Sequence, residues 1–162
     1  MIFIRCGENI IKIYYMKGRI TFTMIKPGAV SHEHIGPILA MINNAGFHIA
    51  ALKYMSLSRN QAVNFYSVHR HKPFFEELID FISSGPIVAA ILEKENAVED
   101  YRKLMGATDP QKAEIGTIRK LFAENILKNA VHGSDSVDNA VNESDFFFSR
   151  GERFYKYEDC CG

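Results

Sequence analysis

The chain has 162 residues, 47% of them hydrophobic, which is one ordinary domain with material for a real core. Its 19 lysines and arginines balance 19 aspartates and glutamates, and zero formal net charge speaks against a protein that grips nucleic acid through bulk positive charge. No apolar run reaches the roughly 18 residues of a membrane span, and the three cysteines, Cys6, Cys160 and Cys161, form no disulfide framework, which fits a reducing, cytoplasmic compartment.

Residues 1–15 open like a weak signal peptide, but Arg5, Glu8 and Lys12 interrupt any long apolar region. They are expected to be an appendage that either lies outside the fold or adds an edge strand, with residues 16–162 forming a single domain. Ile20 to Ile25 alternates apolar and polar residues as a strand does, and Lys26-Pro27-Gly28 ends it abruptly. Ile35, Ile38, Leu39 and Ile42 recur at helical spacing up to the stop at Asn43-Asn44-Ala45-Gly46. Phe47 to Leu57 reads as a second strand with Ile49, Leu52 and Met55 as core positions. Ser58 caps a helix through Tyr66, and Pro73 opens another that carries Phe74, Phe75, Leu78, Ile79 and Ile82. Ile87 to Leu92 is continuously apolar, as a central strand covered on both sides would be.

A helix over Glu95 to Leu104, an irregular loop over 107–118 and a short helix over about 117–127 follow. The approach to His132 is the last short strand, Val137 to Phe148 the last long helix, and the tail from Glu152 is expected to be peripheral. This order predicts an α+β fold, a ferredoxin-like βαββαβ sandwich in which helices cover one face of a four-stranded antiparallel sheet. A doubly wound parallel sheet is the rival, but it would want more strands.

Asn129-Ala130-Val131-His132-Gly133-Ser134-Asp135-Ser136 is the chemically suggestive stretch. Gly133 permits a tight turn, and Ser134, Asp135 and Ser136 are helix-capping types, so His132 is expected at the lip of a structured element beside amides that favour negative charge. A neutral imidazole nitrogen is a competent nucleophile toward phosphorus. No G-x-x-x-x-G-K-[ST] or G-x-G-x-x-G motif is present, and His69 and His71 lack the partners of a zinc site. Lys26 leaves the first strand, Arg102 ends the Glu95 helix, Thr108 sits in the long loop, Arg119 begins the next helix, and Asn129 lies three residues before His132. Taken singly, each reads as a surface side chain. As a set they are the cations and donors that phosphoryl transfer needs around moving charge.

Six blocks carry a resemblance: Thr23-Met24-Ile25-Lys26-Pro27, His71-Lys72-Pro73-Phe74-Phe75, Ser84-Gly85-Pro86, Leu104 through Pro110, Gly116-Thr117-Ile118-Arg119, and Asn129 through Ser136. In this order and spacing, from about residue 19 to 150, the chain resembles nucleoside diphosphate kinases. The resemblance implies a ping-pong enzyme that moves the terminal phosphate of a nucleoside triphosphate, typically ATP, to a nucleoside diphosphate through a phosphohistidine on His132. It further implies that Arg102 and Thr108 hold the β-phosphate and that Arg119 lies along the transferred group. Lys26 and Asn129 would reach the ribose and phosphates, and Phe74 would stack on the base with Ile126 on its other side. Stacking reads any base without its edges, which suits an enzyme tolerant of base identity. Glu143 would orient the imidazole through its other nitrogen, with Tyr66 and Ser134 one layer out in the same pocket. Mg2+ would ride on the nucleotide phosphates with no protein cage, and the chain would assemble as a homotetramer or homohexamer.

Two positions depart from the family pattern. Gly28 stands where an aspartate is usual, and Lys72 where arginine is common, and lysine cannot reproduce a bidentate contact. Altered packing around the site is expected, not loss of the nucleophile. Two other functions compete with the kinase: a non-catalytic nucleic-acid- or protein-binding regulator on the same scaffold, and a phosphocarrier that passes phosphate to a protein side chain.

Overall fold

The computed structural model describes residues 18–156. The expectation for residues 1–15, and all three cysteines, lie outside the described residues.

The strands are β1 (Ile20–Ile25), β2 (His48–Ser56), β3 (Pro86–Glu93) and β4 (Val131–Gly133). They pair antiparallel in the order β2-β3-β1-β4. This is the ferredoxin-like sandwich, and the antiparallel pairings rule out the doubly wound rival. Around the sheet lie α1 (Pro27–Ser31), α2 (Ile35–Asn44), α3 (Arg59–Phe65), α4 (Phe75–Ile82), α5 (Ala97–Met105), α6 (Ile118–Phe122) and α7 (Val137–Phe147).

Helices cover both faces of the sheet, not the single face expected. Strand geometry sends alternate side chains to opposite sides, so Ile20, Phe22 and Met24 join one core with α3, α4 and α7. Ile25, with Val88, Ala90 and Leu92 of β3, joins a second core with α2, α5 and α6. All six residues of β1 are buried in consequence.

Local chemistry places most element ends. Ser58 and Gln61 form a reciprocal capping box at the start of α3, its amide bond to Gln61 Oε1 measuring 2.9 Å. The helix expected from Pro73 starts two residues later, at Phe75, with Phe74 as its cap. The helix expected over 117–127 stops at Phe122, because Asn125 Oδ1 accepts from the Leu127 and Lys128 amides, both at 2.9 Å, and closes a turn instead. The short helix α1 was not expected, although Pro27 suits its first turn.

In β2 the expected core position Leu52 is 52% exposed. A register shift between Ile49 and Ala51 against β3 inserts an extra residue, so Ala50 and Ala51 are both buried and the alternation beyond them is inverted. Ile49 and Met55 are partly buried. The tail is less peripheral than expected: the Phe154 amide donates to Ala50 O at 2.7 Å and the Lys156 amide to Glu93 Oε2 at 2.9 Å.

Candidate active site

His132 lies in β4 directly opposite Met24 of β1. Cross-strand partners share a face, so the imidazole emerges on Met24's side of the sheet, where α3 and α7 pack. Its ring is walled by Phe65 at 5.3 Å, Tyr66 at 5.8 Å and Phe22 at 6.0 Å between centroids. The side chain keeps 20% exposure, so the ring is lodged in a wall and open on one side.

From α7, Glu143 reaches back so that its Oε1 lies 2.8 Å from His132 Nε2. Its other oxygen accepts from the Ser134 hydroxyl at 2.5 Å. Ser134 is fully buried and its Oγ accepts from the Phe22 amide at 3.1 Å. A carboxylate on Nε2 favours the tautomer with the proton there, which leaves the Nδ1 lone pair for chemistry. Of the three capping-type residues after Gly133, Ser136 is the one that caps α7, its Oγ accepting from the Asn139 amide at 3.2 Å. Asp135 is engaged by the Asn139 side-chain amide at 2.6 Å.

Gly133 does not serve as the expected bend, since its φ is not positive. It is a point of close approach: a Cβ there would stand 2.6 Å from Met105 Cε and 2.9 Å from Tyr101 Cδ1. The left-handed residue is Ala130, with φ of 65°. The Val131 amide closes back on Asn129 O at 2.8 Å, and the Lys26 amide donates to Ala130 O at 2.9 Å. A non-glycine residue held in that region stores local strain, which surrounding contacts must hold in place.

Lys26 and Asn129 meet: the buried ammonium donates to Asn129 Oδ1 at 2.7 Å. Burial, and then the charge of Arg119, bring the Lys26 ammonium down to about 7. Arg119 spends Nη1 on Gly106 O at 3.0 Å and Nη2 on Val131 O at 3.1 Å, one residue before His132. Among the described residues its Nε is buried with no hydrogen-bond partner, as is the Tyr66 hydroxyl. Burial, and then the Glu143 carboxylate, push the Tyr66 phenol upward, so it stays protonated.

The remaining expected residues are exposed around this centre. Arg102 lies on α5 and borders a cleft of about 430 Å³ with Asp135 and Ser136. Thr108 is exposed in the loop after α5, and Phe74 is 44% and Ile126 60% exposed. Phe74 is therefore not a core residue of its helix. At Gly28 a Cβ would touch the Phe81 ring at 3.4 Å and Glu124 Oε1 at 3.6 Å, and Lys72 is exposed. Sequence reading missed Phe22 and Phe65 as walls of the imidazole and Thr23 beneath it; β1's alternation places Phe22 with Met24, but only the pairing of β4 with β1 brings them to His132.

An imidazole held by a carboxylate, with the side chains of Lys26 and Arg119 tied to the residues just before it, is the equipment of a group-transfer enzyme for anionic substrates. The family description "Nucleoside diphosphate kinase" matches residues 19–153. Nucleoside diphosphate kinases of Lawsonia intracellularis and Flavobacterium psychrophilum are each 56% identical to this chain, over 82% and 83% of it and 96% of their own lengths. The Aquifex aeolicus nucleoside diphosphate kinase superposes with a TM-score of 0.82 at 41% identity, covering 83% of this chain and 98% of that one. That of Halobacterium salinarum, solved in complex with CDP, gives 0.81 at 34% identity over 90% of this chain and 99% of its own. The chain belongs to the nucleoside diphosphate kinase family. It is a phosphotransferase that moves phosphate between nucleotides, and the regulatory reading is not favoured.

Proposed function

We propose that the transfer runs as a ping-pong reaction through phosphorylated His132. In the first half, the Nδ1 lone pair attacks the γ-phosphorus of a nucleoside triphosphate in line. The bond from phosphorus to the β,γ-bridging oxygen breaks, and its electrons leave with the diphosphate. Nε2 keeps its proton, so positive charge develops on the ring and the Glu143 carboxylate stabilises it. In the second half, an oxygen of the acceptor's terminal β-phosphate attacks the same phosphorus and the N–P bond returns its electrons to Nδ1.

The observation that carries this reading is the Glu143–Nε2 contact of 2.8 Å on a ring that remains partly open to solvent. Arg102 and Thr108 are assigned to the β-phosphate, Arg119 to the transferred group, Lys26 and Asn129 to ribose and phosphates, and Phe74 to the base. Brief incubation with γ-labelled ATP and then GDP tests it. Acid-labile label on His132 that departs as GTP is the expected result; label that stays, or none, overturns it. A phosphocarrier for proteins would hold its label through the GDP step.

Among the described residues no cluster of three or more His, Cys, Asp or Glu side chains could hold a metal. Glu143 is engaged by His132 and Ser134, and Asp135 by Asn139, which suits Mg2+ carried in on the substrate's own phosphates, where it screens their charge. A homotetramer or homohexamer is supported by apolar side chains left on the surface: Leu52 and Tyr54 of the edge strand β2, and Ile115, 93% exposed, in the loop after Pro110. Light scattering on the purified chain decides between these states. A cytoplasmic setting is supported by the sparse cysteines, and among the described residues no helix is long and apolar enough to cross a membrane.

A further inference from the structure

Beneath His132, on the sheet face opposite its ring, two buried hydroxyls are joined. Thr23 Oγ1 donates to His132 O at 2.9 Å and lies 2.6 Å from the Tyr101 hydroxyl. Thr23 is 1% exposed and Tyr101 fully buried, with the Tyr101 ring edge-on to Phe47 at 5.8 Å. A threonine hydroxyl has one proton. Since that proton goes to the His132 carbonyl, Tyr101 must donate to Thr23, and the relay has one direction: Tyr101 to Thr23 to His132. Burial drives the Tyr101 phenol upward, so it remains a donor throughout the working range of pH.

Tyr101 sits on α5 immediately before Arg102, and β4 is tied to this helix and to its C-terminal end at two further places. Gly133 is tight against Tyr101 and Met105, and Arg119 ties Gly106 O, just past the helix end, to Val131 O. Three consecutive residues of β4 are thus clamped from the α5 side, while the ring of the middle one points the other way.

We propose that the Tyr101–Thr23 hydroxyl pair is a positioning device: it holds the His132 backbone, and through it the imidazole, in fixed register with the helix that presents Arg102. This rests on His132 being the phosphoryl acceptor. Nucleophilic attack requires alignment that a small displacement of the ring disrupts, and two buried hydroxyls with no other partner among the described residues would otherwise cost stability. Thr23 and Tyr101 touch no reacting atom. They act through the strand.

The test is a cycle of Thr23→Val, Tyr101→Phe, the double variant and Thr23→Ser, read by rapid-quench formation of the phosphoenzyme against ATP concentration. Each single variant is expected to lower the limiting rate about tenfold, with apparent ATP affinity changed less than about twofold, as for loss of one aligned hydrogen bond. Thr23→Ser should restore the rate, and the double variant should be no slower than the worse single one. A slow Thr23→Ser, losses that multiply, or losses confined to affinity overturn the device. The 15N resonances of the His132 ring, recorded without nucleotide, give a second reading: they should move in Thr23→Val and Tyr101→Phe and return in Thr23→Ser. Unmoved resonances also overturn it. If the wild-type chain takes no label while the resonances move as expected, the phosphohistidine reading fails and the hold on His132 stands.

Discussion

The Ser134 hydroxyl donates to one oxygen of Glu143 at 2.5 Å while His132 Nε2 lies 2.8 Å from the other, so a single carboxylate is gripped from both sides by residues two apart in sequence. Glu143 is thereby fixed in direction before any substrate arrives, and its charge is placed against Nε2, where the proposed phosphoryl transfer would make the imidazole positive.

Glu143→Gln keeps the shape and removes the charge. Phosphoenzyme formation should slow roughly 10- to 100-fold, the worth of a charge-assisted hydrogen bond, with nucleotide affinity nearly unchanged. Rapid-quench labelling measures it, and an unaltered rate would mean that Glu143 only fills space.

His132→Ala should abolish transfer and leave the fold intact, because the ring is partly exposed and packs against the core from its edge. Circular dichroism and a denaturation midpoint near that of the wild type check the fold, and residual turnover would remove the nucleophile assignment.

The Lys26 ammonium, brought down to about 7 from the usual 10.5, makes stability depend on pH in a definite direction. Between those two values the unfolded chain holds a proton that the folded chain lacks, so this group's contribution makes stability rise with pH across the window. Below about 7 both states are protonated and its contribution is at its lowest. Lys26→Met should flatten the rise, as followed by urea denaturation from pH 6 to 10. Nucleotide phosphates should draw the proton back, so binding at pH 8 should take up a proton, which calorimetry in buffers of differing ionisation enthalpy detects. Equal heats in all buffers would contradict it.

Gly133→Ala puts a methyl 2.6 Å from Met105 Cε, which can swing aside, and 2.9 Å from the Tyr101 ring, which is fully buried and cannot. The cost should be about 1–3 kcal/mol of stability, the range for overpacking a close contact. A drop in denaturant midpoint measures it; an unchanged midpoint would show that α5 is not held tightly against β4.

Phe74→Ala should weaken every nucleotide by a similar amount, about 1–3 kcal/mol, since a stacked ring reads no base edge. Comparing KM for adenine, guanine and cytosine nucleotides tests this. A loss confined to one base would mean that Phe74 discriminates.

The meeting of Lys26 with Asn129 beside the strand of His132 was legible because their blocks keep motif spacing along the chain, and the strands were legible because apolar alternation and runs mark them. What stayed hidden depends on pairing between distant segments. The extra residue near Ala50 exists only relative to β3, so Leu52 read as core from its position in the run and emerges on the surface. Gly133 read as a bend because glycine usually is one; the pressure of Met105 and Tyr101 on it comes from a helix about 30 residues upstream. The Thr23–His132 contact spans 109 residues and has no local sequence signal.

The strand that carries His132 is three residues long and forms one margin of the sheet. So brief a rim offers too few free amides and carbonyls to template a foreign strand. Among the described residues, the His132 strand can therefore lie at the border of the sheet without inviting aggregation there, and lengthening that border with valine or isoleucine would create the hazard.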